Sequence, residues 1–396
     1  MKLLGCILLI VGTCVGAGIL GLPIATATLG FSGSVGLLIV SWLIMMTAAF
    51  LILEASLWLP QNSNLISMAK ATLGPLGQVI AWIVYVLLLY SLLCAYVAGG
   101  SSLFHNVLLG LGITLSPTLA AVLFTLIFGA VVFCGIRSVD YVNRGLMAAK
   151  FVAYVLLIIF LAPFVKHSNL MTSHLSQLTA GTALTVTITA FGYSTIIPSL
   201  RIYFENDVKK IKLAILIGST IPLIVYLIWD AAIMGVIPLA GFTQIANSSD
   251  STAALVHVLS GTVNISSVTV FTKIFTSICV LTSFLGVALC IADFLSDGLQ
   301  IAKKGWGNVF VHLLTLVPPL VIVLFFPNIF IKALVYAGVD SIILLVFLPI
   351  AMVWRGRYHK QMTASGVQFS VPGGRPVLLI MFLVAAYIVV RGVMSL

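Results

Sequence analysis

Charged residues are scarce in this sequence. Nine Asp and Glu and nineteen Lys and Arg make up 7% of its 396 residues, whereas 61% are hydrophobic. Soluble globular chains carry about 25% charged residues, so the composition excludes a cytosolic enzyme and a disordered chain. The net charge of +10 is dispersed among short loops, whereas a nucleic-acid-binding protein gathers such an excess on one face. We therefore expect contact with a lipid bilayer and none with nucleic acid.

Motifs that hold metals, phosphates or catalytic nucleophiles are also lacking. The six cysteines lie inside apolar stretches and show no paired spacing typical of a metal site or a disulfide framework. No GxGxxG, phosphate-binding loop, HExxH or GxSxG occurs in a suitable context. We therefore expect neither an enzyme nor a bound metal or other cofactor.

Apolar stretches long enough to cross a bilayer, at about 20 residues each, follow one another along the chain. There are eleven: residues 3–29, 35–59, 78–104, 117–136, 145–165, 182–203, 212–237, 266–295, 308–326, 330–354 and 376–395. They leave no room for a soluble domain. The first is too long and too rich in glycine for a cleaved signal peptide, so we expect a retained helix.

The basic residues between these spans divide unevenly between the two sides of the membrane. Fourteen fall on one side, and three, Lys166, Lys332 and Arg391, fall on the other. Cytoplasmic loops accumulate Lys and Arg, so the side with fourteen is predicted to be cytoplasmic. The amino terminus is then inside and, after an odd number of spans, the carboxyl terminus is outside.

Two spans contain residues that interrupt helices. Span 1 has glycines at 12, 16, 18 and 21 followed by Pro23, and span 6 has Gly192 followed by Pro198. In a helix interior Gly costs about 1 kcal/mol and Pro about 3 kcal/mol relative to Ala. Unwound backbone at membrane depth is tolerated only where it lines a cavity. We predict that both spans are broken, with close helix packing as the alternative role of the glycines.

The two predicted breaks fall in the first span of each of two five-span halves. This symmetry is typical of secondary transporters built from inverted repeats. The halves comprise residues 1–165 and 182–354, with residues 376–396 as an additional span. At such breaks the amide end of a half-helix attracts a carboxylate, and the carbonyl end accepts from an ammonium. A free amino acid has both groups.

Three motifs carry a resemblance to a known family. They are Gly12-Thr13-Cys14-Val15-Gly16-Ala17-Gly18-Ile19-Leu20-Gly21-Leu22-Pro23, the stretch from Asn143-Arg144 to Lys150, and Ser283-Phe284-Leu285-Gly286-Val287-Ala288-Leu289 followed by Asp293. With Gly373-Gly374-Arg375-Pro376 before the last span, the chain resembles the bacterial hydroxy/aromatic amino acid permeases over nearly its whole length. The resemblance implies a LeuT-type fold, an all-α polytopic membrane protein with five plus five inverted-repeat spans and one extra helix, eleven in all.

The same resemblance implies proton-driven import of an aromatic amino acid. We favour tyrosine as the substrate, and the resemblance leaves tryptophan and phenylalanine open. The protein would lie in the bacterial inner membrane with a periplasmic carboxyl terminus, and we expect a monomer. A sodium-coupled permease, or one for serine, threonine or tryptophan, would have the same fold and stays open as an alternative. From another class, a channel or a membrane receptor also places polar groups inside helices.

The residues at the breaks, with two on span 3, are the candidates for substrate binding. A ring needs apolar walls; Phe191 and Tyr193 flank Gly192, and Tyr90 and Cys94 share a face near the middle of span 3. The predicted substrate-binding residues are Thr13, Gly16, Ala17, Gly18, Tyr90, Cys94, Ala190, Phe191, Gly192 and Tyr193. Aromatic residues are common in membrane helices, so packing or lipid contact is the alternative for Tyr90 and Phe191.

Ionisable residues inside spans are candidates for ion coupling, because charge at membrane depth is costly. By the resemblance, Lys150 matches a lysine that stands in for a sodium ion in proton-coupled relatives, and we predict that it carries the coupling proton. Its alternative is a side chain that reaches the nearby interface. Thr282 and Ser283 match sodium ligands of sodium-coupled relatives and keep that coupling open, unless they only bond to their own helix.

Acidic residues inside spans are also candidates for ion coupling or for charge pairing. Glu54, six residues before Pro60, is predicted to take part in proton coupling. It would accept hydrogen bonds from N–H groups freed by a broken helix or be protonated against the freed carbonyls, and a carboxylate near the interface is the alternative. Lys273 in span 8 is expected to be neutralised by Asp230 or Asp340.

A candidate gate lies at the cytoplasmic end of span 8. Asp293 and Asp297 are four residues apart and share one helix face. They would pair with Lys2 or Arg201, and a solvated helix end is the alternative.

Overall fold

The computed structural model describes residues 2–61, 63–171, 180–248, 251–326, 328–363 and 369–396, which form helices and connecting segments without a β-strand. The α-helices of this part of the chain are α1 Lys2–Cys14, α2 Gly18–Thr26, α3 Gly30–Leu57, α4 Leu65–Leu73, α5 Pro75–Gly110, α6 Pro117–Phe133, α7 Ile136–Leu161, α8 His167–Leu170, α9 Gly181–Ala190, α10 Ile197–Tyr203, α11 Val208–Val236, α12 Leu239–Asn247, α13 Ser251–Val263, α14 Ser266–Leu299, α15 Gly305–Phe325, α16 Ile329–Ile342, α17 Leu348–Tyr358 and α18 Gly374–Val393. A π-helical turn, Ile343–Phe347, joins α16 to α17.

Nine helical runs within the described residues are long and apolar enough to cross a membrane, which confirms the predicted all-α membrane protein. One run, Gly18–Leu57, contains the end of predicted span 1 and most of span 2. Helices α1 and α6 are apolar but only 13 and 17 residues long. The count of eleven spans therefore stays a prediction.

Polar side chains fix the starts of helices next to apolar runs. Ser116 Oγ accepts from Leu119 N at 3.2 Å at the start of α6, and Asp207 Oδ1 accepts from Lys210 N at 3.1 Å at the start of α11. Each cap satisfies an amide that the first helical turn leaves without a partner.

Helix α7 begins earlier than the apolar stretch at residue 145 suggested. Gly135, with φ +91°, precedes the first helical residue, Ile136. A helix satisfies its backbone internally and can continue beyond the lipid, whereas the apolar run marks only the part that lipid covers. Lys150 is therefore the fifteenth residue of α7, about 21 Å from its start at 1.5 Å per residue.

Both predicted helix breaks are confirmed. Span 1 is interrupted at residues 15–17, between α1 and α2. Span 6 is interrupted at Phe191 and by the 3₁₀ segment Gly192–Ile196, between α9 and α10. Pro198 lies in the first turn of α10, where its missing N–H costs least.

The two interrupted spans lie side by side. Helix α2 packs against α9, and α1 and α2 both pack against α11. A Cβ placed on Gly18 would lie 3.6 Å from Ala190 Cα, so a small residue lets the two backbones approach. Helix α14 packs along α7 and α5. Spans 5, 7 and 8 thus bring side chains to the breaks.

Candidate functional site

A tyrosine hydroxyl joins the two breaks. Tyr226 Oη on α11 donates at 2.6 Å to Cys14 O, or at 2.9 Å to Ala190 O. These carbonyls belong to the last residues of α1 and α9, so the negative ends of two half-helices converge on one hydroxyl. The ring of Phe191 packs edge-on against that of Tyr226, with centroids 5.3 Å apart. Tyr226 was not among the predicted residues, because nothing in the sequence distinguishes it from the other tyrosines.

Lys150 reaches the span 1 break from α7. Its side chain is fully buried, and its Nζ donates to Val15 O at 2.5 Å. The ring of Phe151 lies 5.8 Å from Nζ, and Cys279 on α14 lies nearby. Within the described residues no carboxylate forms an ion pair with it. The side chain therefore points into the protein rather than to its surface, and the oxygen that accepts from Nζ is the Val15 carbonyl.

Ser283 holds the other side of the same break. Its Oγ accepts from Ala17 N at 2.9 Å and donates to Cys279 O at 3.0 Å. A serine from span 8 therefore caps the start of α2 from outside that helix, as an N-cap residue normally does from within. Thr282 donates only to Cys279 O, at 3.1 Å. A Cβ on Gly16 would collide with Ser283 Oγ, so this approach requires glycine.

Most of the predicted substrate-binding residues come together here. Those at the paired breaks are Gly16, Ala17, Gly18, Ala190, Phe191, Gly192 and Tyr193. A Cβ on Gly192 would meet no atom within 4 Å, so open space borders this residue. The Tyr193 hydroxyl is buried, and Ser219 on α11 lies beside it. Thr13 lies one turn earlier on an exposed face, and its hydroxyl donates to Leu9 O at 2.8 Å.

Tyr90 and Cys94 lie in a different place. They line a cleft of about 610 Å³ between α5, α15 and α16, together with Lys332 and Tyr336, and its lining includes no residue of either break. Tyr90 Oη donates to Leu314 O at 2.6 Å, which directs its ring toward α15. The structure therefore does not bring these two residues to the breaks.

The hydrogen-bond partners of Glu54 differ from those predicted. Arg357 Nε and Nη2 each donate to its carboxylate at 2.5 Å, and Val371 N donates at 2.7 Å. The carboxylate is almost completely buried. It joins α3 to α17 and to the segment before α18, so the structure shows a bidentate ion pair where the sequence suggested freed backbone groups.

The expected gate pairs do not form among the described residues. Asp293 pairs with Lys303, and Lys2 pairs with Glu205 at 3.4 Å. Arg201 donates to Asn206 Oδ1 at 2.7 Å, to Ser56 O in the last turn of α3 and to Pro60 O just after it. The prediction of these pairs was wrong because periodicity shows which face of a helix a residue occupies, but not which residues of other helices pack opposite that face.

Lys273 is likewise not neutralised as expected. Asp230 accepts from Ser34 Oγ, and Asp340 accepts from Ser91 Oγ at 3.3 Å. Neither acid forms an ion pair in the described part of the chain. No group of three or more His, Cys, Asp or Glu residues gathers there as a metal site would require.

Known proteins are similar in sequence to this chain over nearly its full length. The family model described as the tryptophan/tyrosine permease family matches residues 1–392. Tyrosine-specific transport system 1 of Haemophilus influenzae is 32% identical over 391 residues, 98% of this chain and 95% of the relative. The tryptophan-specific transport protein of Pseudomonas aeruginosa is 32% identical over 387 residues, 96% and 92% of the two chains.

A third relative broadens the range of substrates named. Glutamine transporter 2 of Aliivibrio fischeri is 32% identical over 355 residues, 89% of this chain and 88% of the relative. All three relatives are transporters rather than enzymes by name. The resemblance seen in the motifs is thus confirmed: the chain belongs to the tryptophan/tyrosine permease family and is not an enzyme.

Proposed function

We propose that the protein is a secondary transporter that imports an aromatic amino acid, with tyrosine favoured, together with a proton. The observation that carries the proposal is the meeting of two interrupted helices whose carbonyl ends both bind Tyr226. Lys150 and Ser283 hold the rest of the span 1 break. Membership of the family supports amino-acid transport, and the names of the relatives give the substrates to test.

The proposal includes the LeuT-type architecture. Residues 1–165 and 182–354 would form inverted repeats of five spans, followed by one extra span at 376–396. The adjacent breaks, one in each half, support this assignment. The protein would be a monomer of the bacterial inner membrane, with its amino terminus in the cytoplasm and its carboxyl terminus in the periplasm.

The breaks offer a place for each part of an amino acid. Its carboxylate would compete with Ser283 Oγ for the amides at the start of α2, where the helix dipole favours negative charge. Its ammonium would approach the carbonyl ends of α1 and α9. The side chain would extend into the open space beside Gly192, with Phe191 and Tyr193 as apolar walls. Rocking of the interrupted spans against their neighbours would open this place to each side in turn.

The position of Lys150 supports coupling to protons. While the amine is protonated, its hydrogen bond to Val15 O is charge-assisted and strong. Loss of the proton weakens that bond and frees the unwound segment from α7. A sodium ion bound by Thr282 and Ser283 would lie close to this ammonium and be repelled, which favours protons over the sodium alternative.

Counterflow of labelled tyrosine in proteoliposomes tests the substrate. We expect saturable exchange when the vesicles are preloaded with tyrosine, weaker exchange with tryptophan or phenylalanine, and the least with glutamine. A glutamine-selective exchange would overturn the aromatic assignment. Flux that does not saturate would identify a channel, and binding without exchange would identify a receptor.

Imposed gradients test the coupling ion. A pH gradient, inside alkaline, is expected to concentrate tyrosine, and a sodium gradient is not. Lys150→Met should lose pH-driven accumulation, because its side chain has no proton to carry. Lys166→Met, which changes an exposed lysine at the start of α8, is the matched control and should retain it. Accumulation by Lys150→Met in response to pH would overturn the role of Lys150.

A further inference from the structure

Asp230 is a buried acid that the proposed mechanism does not use. It lies on α11 with no exposed surface, and its Oδ2 accepts from Ser34 Oγ on α3. Its Oδ1 is buried without a hydrogen-bond partner among the described residues. The same two helices are joined again where Trp42 Nε1 donates to Ser219 Oγ at 3.0 Å. Asp230 therefore lies in the contact between spans 2 and 7.

The surroundings of Asp230 are apolar and aromatic. Its neighbour Trp229 packs on Tyr154 and on Phe275, with ring centroids 6.4 and 5.1 Å away. Tyr154, on α7, interacts with Asp230, but its hydroxyl donates to Val225 O at 2.9 Å. These neighbours exclude water and provide no positive charge.

Among the described residues, no charged group on the helices packed against α11 forms an ion pair with Asp230. The charged residues and histidines on these helices are Lys2 on α1, Glu54 on α3, Arg137, Asp140, Arg144 and Lys150 on α7, His167 on α8, Arg201 on α10 and His257 on α13, and α11 itself carries Lys209, Lys210 and Lys212 near its start. Helix α2 has no charged residue, and Lys150 Nζ donates to Val15 O. None of these side chains interacts with Asp230 in the described structure. Lys2 and Arg201 have partners of their own.

We propose that Asp230 and Ser34 form a second proton-binding site, which holds a proton while spans 2 and 7 are packed together. An ionised carboxylate here would have one hydroxyl and no cation, and a buried charge without a partner is strongly unfavourable. A neutral carboxyl accepts from Ser34 at Oδ2 and carries the proton on Oδ1. Ionisation therefore requires that water reach Oδ1, which means that the contact between α3 and α11 opens.

The position of the pair indicates which side supplies the proton. Asp230 lies in the last two turns of α11 and Ser34 in the second turn of α3, at the end predicted to face outside. Helix α12 covers α2 and residues 27–29 beside this end. Movement of these elements on opening outward would admit external water to Asp230. This link to transport rests on the proposed function, whereas protonation of Asp230 does not.

Infrared spectroscopy of the full-length protein in lipid tests protonation directly. We expect the carbonyl band of a protonated carboxyl at neutral pH in the wild type, lost in Asp230→Asn. Asp340→Asn, which changes the other hydroxyl-bonded acid, is the matched control and should retain the band. Ser34→Ala should shift its frequency, because one hydrogen bond is removed, and serves if Asp230→Asn does not fold. An unchanged band in Asp230→Asn, or in Ser34→Ala, would overturn the proposal.

The pH dependence of tyrosine counterflow tests the link to opening. The ratio of exchange rates at acidic and alkaline external pH should move toward one in Asp230→Asn without reaching it, because Lys150 still exchanges a proton, and should stay at the wild-type value in Asp340→Asn. A wild-type ratio in Asp230→Asn would overturn the link. Absence of counterflow in the wild type would overturn the proposed function, while the infrared result would still decide protonation.

Discussion

Replacing Glu54 by glutamine removes one charge from a buried ion pair and keeps the shape of the side chain. The side chains of Glu54 and Arg357 are 1% and 16% exposed, and three donors bind the carboxylate at 2.5 to 2.7 Å. Changing one partner of a buried pair costs about 3–5 kcal/mol, because the other charge is left uncompensated. Since Arg357 keeps some contact with solvent, we expect Glu54→Gln to destabilise the protein by about 3 kcal/mol.

Thermal unfolding of the purified protein in detergent measures this loss. The matched control is Asp140→Asn, which removes one partner of the surface pair between Arg144 and Asp140, 75% and 49% exposed. Such a pair contributes about 0–1 kcal/mol. If Glu54→Gln and Asp140→Asn lower the unfolding temperature equally, the reasoning is refuted. Replacing both Glu54 and Arg357 by methionine should be less harmful than Glu54→Gln, since no charge is left unpaired.

The same double variant decides the role predicted for Glu54 in coupling. The ion pair fastens α3 to α17 and to the segment before α18, which is a structural task. We therefore expect the double methionine variant, where it folds, to accumulate tyrosine in response to a pH gradient. Loss of that accumulation with normal tyrosine exchange would show that Glu54 does carry a proton.

Three further changes test the site and its supports. Gly16→Ala should lower counterflow, because overpacking against Ser283 Oγ costs about 1–3 kcal/mol. Adding Ser283→Ala should restore part of the lost rate, since the Cβ that remains at residue 283 lies 3.6 Å away. A double variant without any recovery would argue against this contact. Tyr226→Phe removes the one hydroxyl proton available to Cys14 O and Ala190 O, at a cost of about 0.5–1.5 kcal/mol, so counterflow should fall by up to about tenfold; an unchanged rate would contradict the bridging role. A hydrogen bond from the side chain of Lys210 holds the pKa of Asp207 below its ordinary value. Stabilisation by the Asp207 carboxylate is therefore full at neutral pH and is lost as the pH falls through that lowered pKa. Asp207→Ala should lower the unfolding temperature at neutral pH and not in acid.

The helix breaks were predictable because their cause is local. Glycine and proline weaken a helix wherever they stand, and their clustering near Gly16 and Gly192 placed both interruptions correctly. The depth of Lys150 was harder to predict, because the apolar stretch begins nine residues after α7 does. The hydropathy pattern marks where lipid lies along a helix, and the helix itself is longer.

The partners of buried polar groups were not predictable from local sequence. Glu54 and Arg357 are 303 residues apart, and Tyr226 binds carbonyls on two other spans. Such pairs depend on which helices pack together and at what rotation, and periodicity gives only the face of each helix. Tyr90 shows the same limit: the sequence placed it near the middle of span 3 but could not show that its hydroxyl donates to Leu314 O on α15.

The strength of the hydrogen bond between Lys150 and Val15 O limits how far the loss of one proton can shift the equilibrium between two conformations. A hydrogen bond to a charged group contributes about 1.5–3 kcal/mol, whereas moving a two-state equilibrium from 1:99 to 99:1 requires about 5.5 kcal/mol. Deprotonation of Lys150 alone would therefore shift the balance between inward- and outward-open forms only partly. The remainder must come from substrate contacts at the breaks, or from a second protonation such as that of Asp230. Asp230→Asn should then lower the accumulation driven by a pH gradient only in part, whereas Lys150→Met should abolish it.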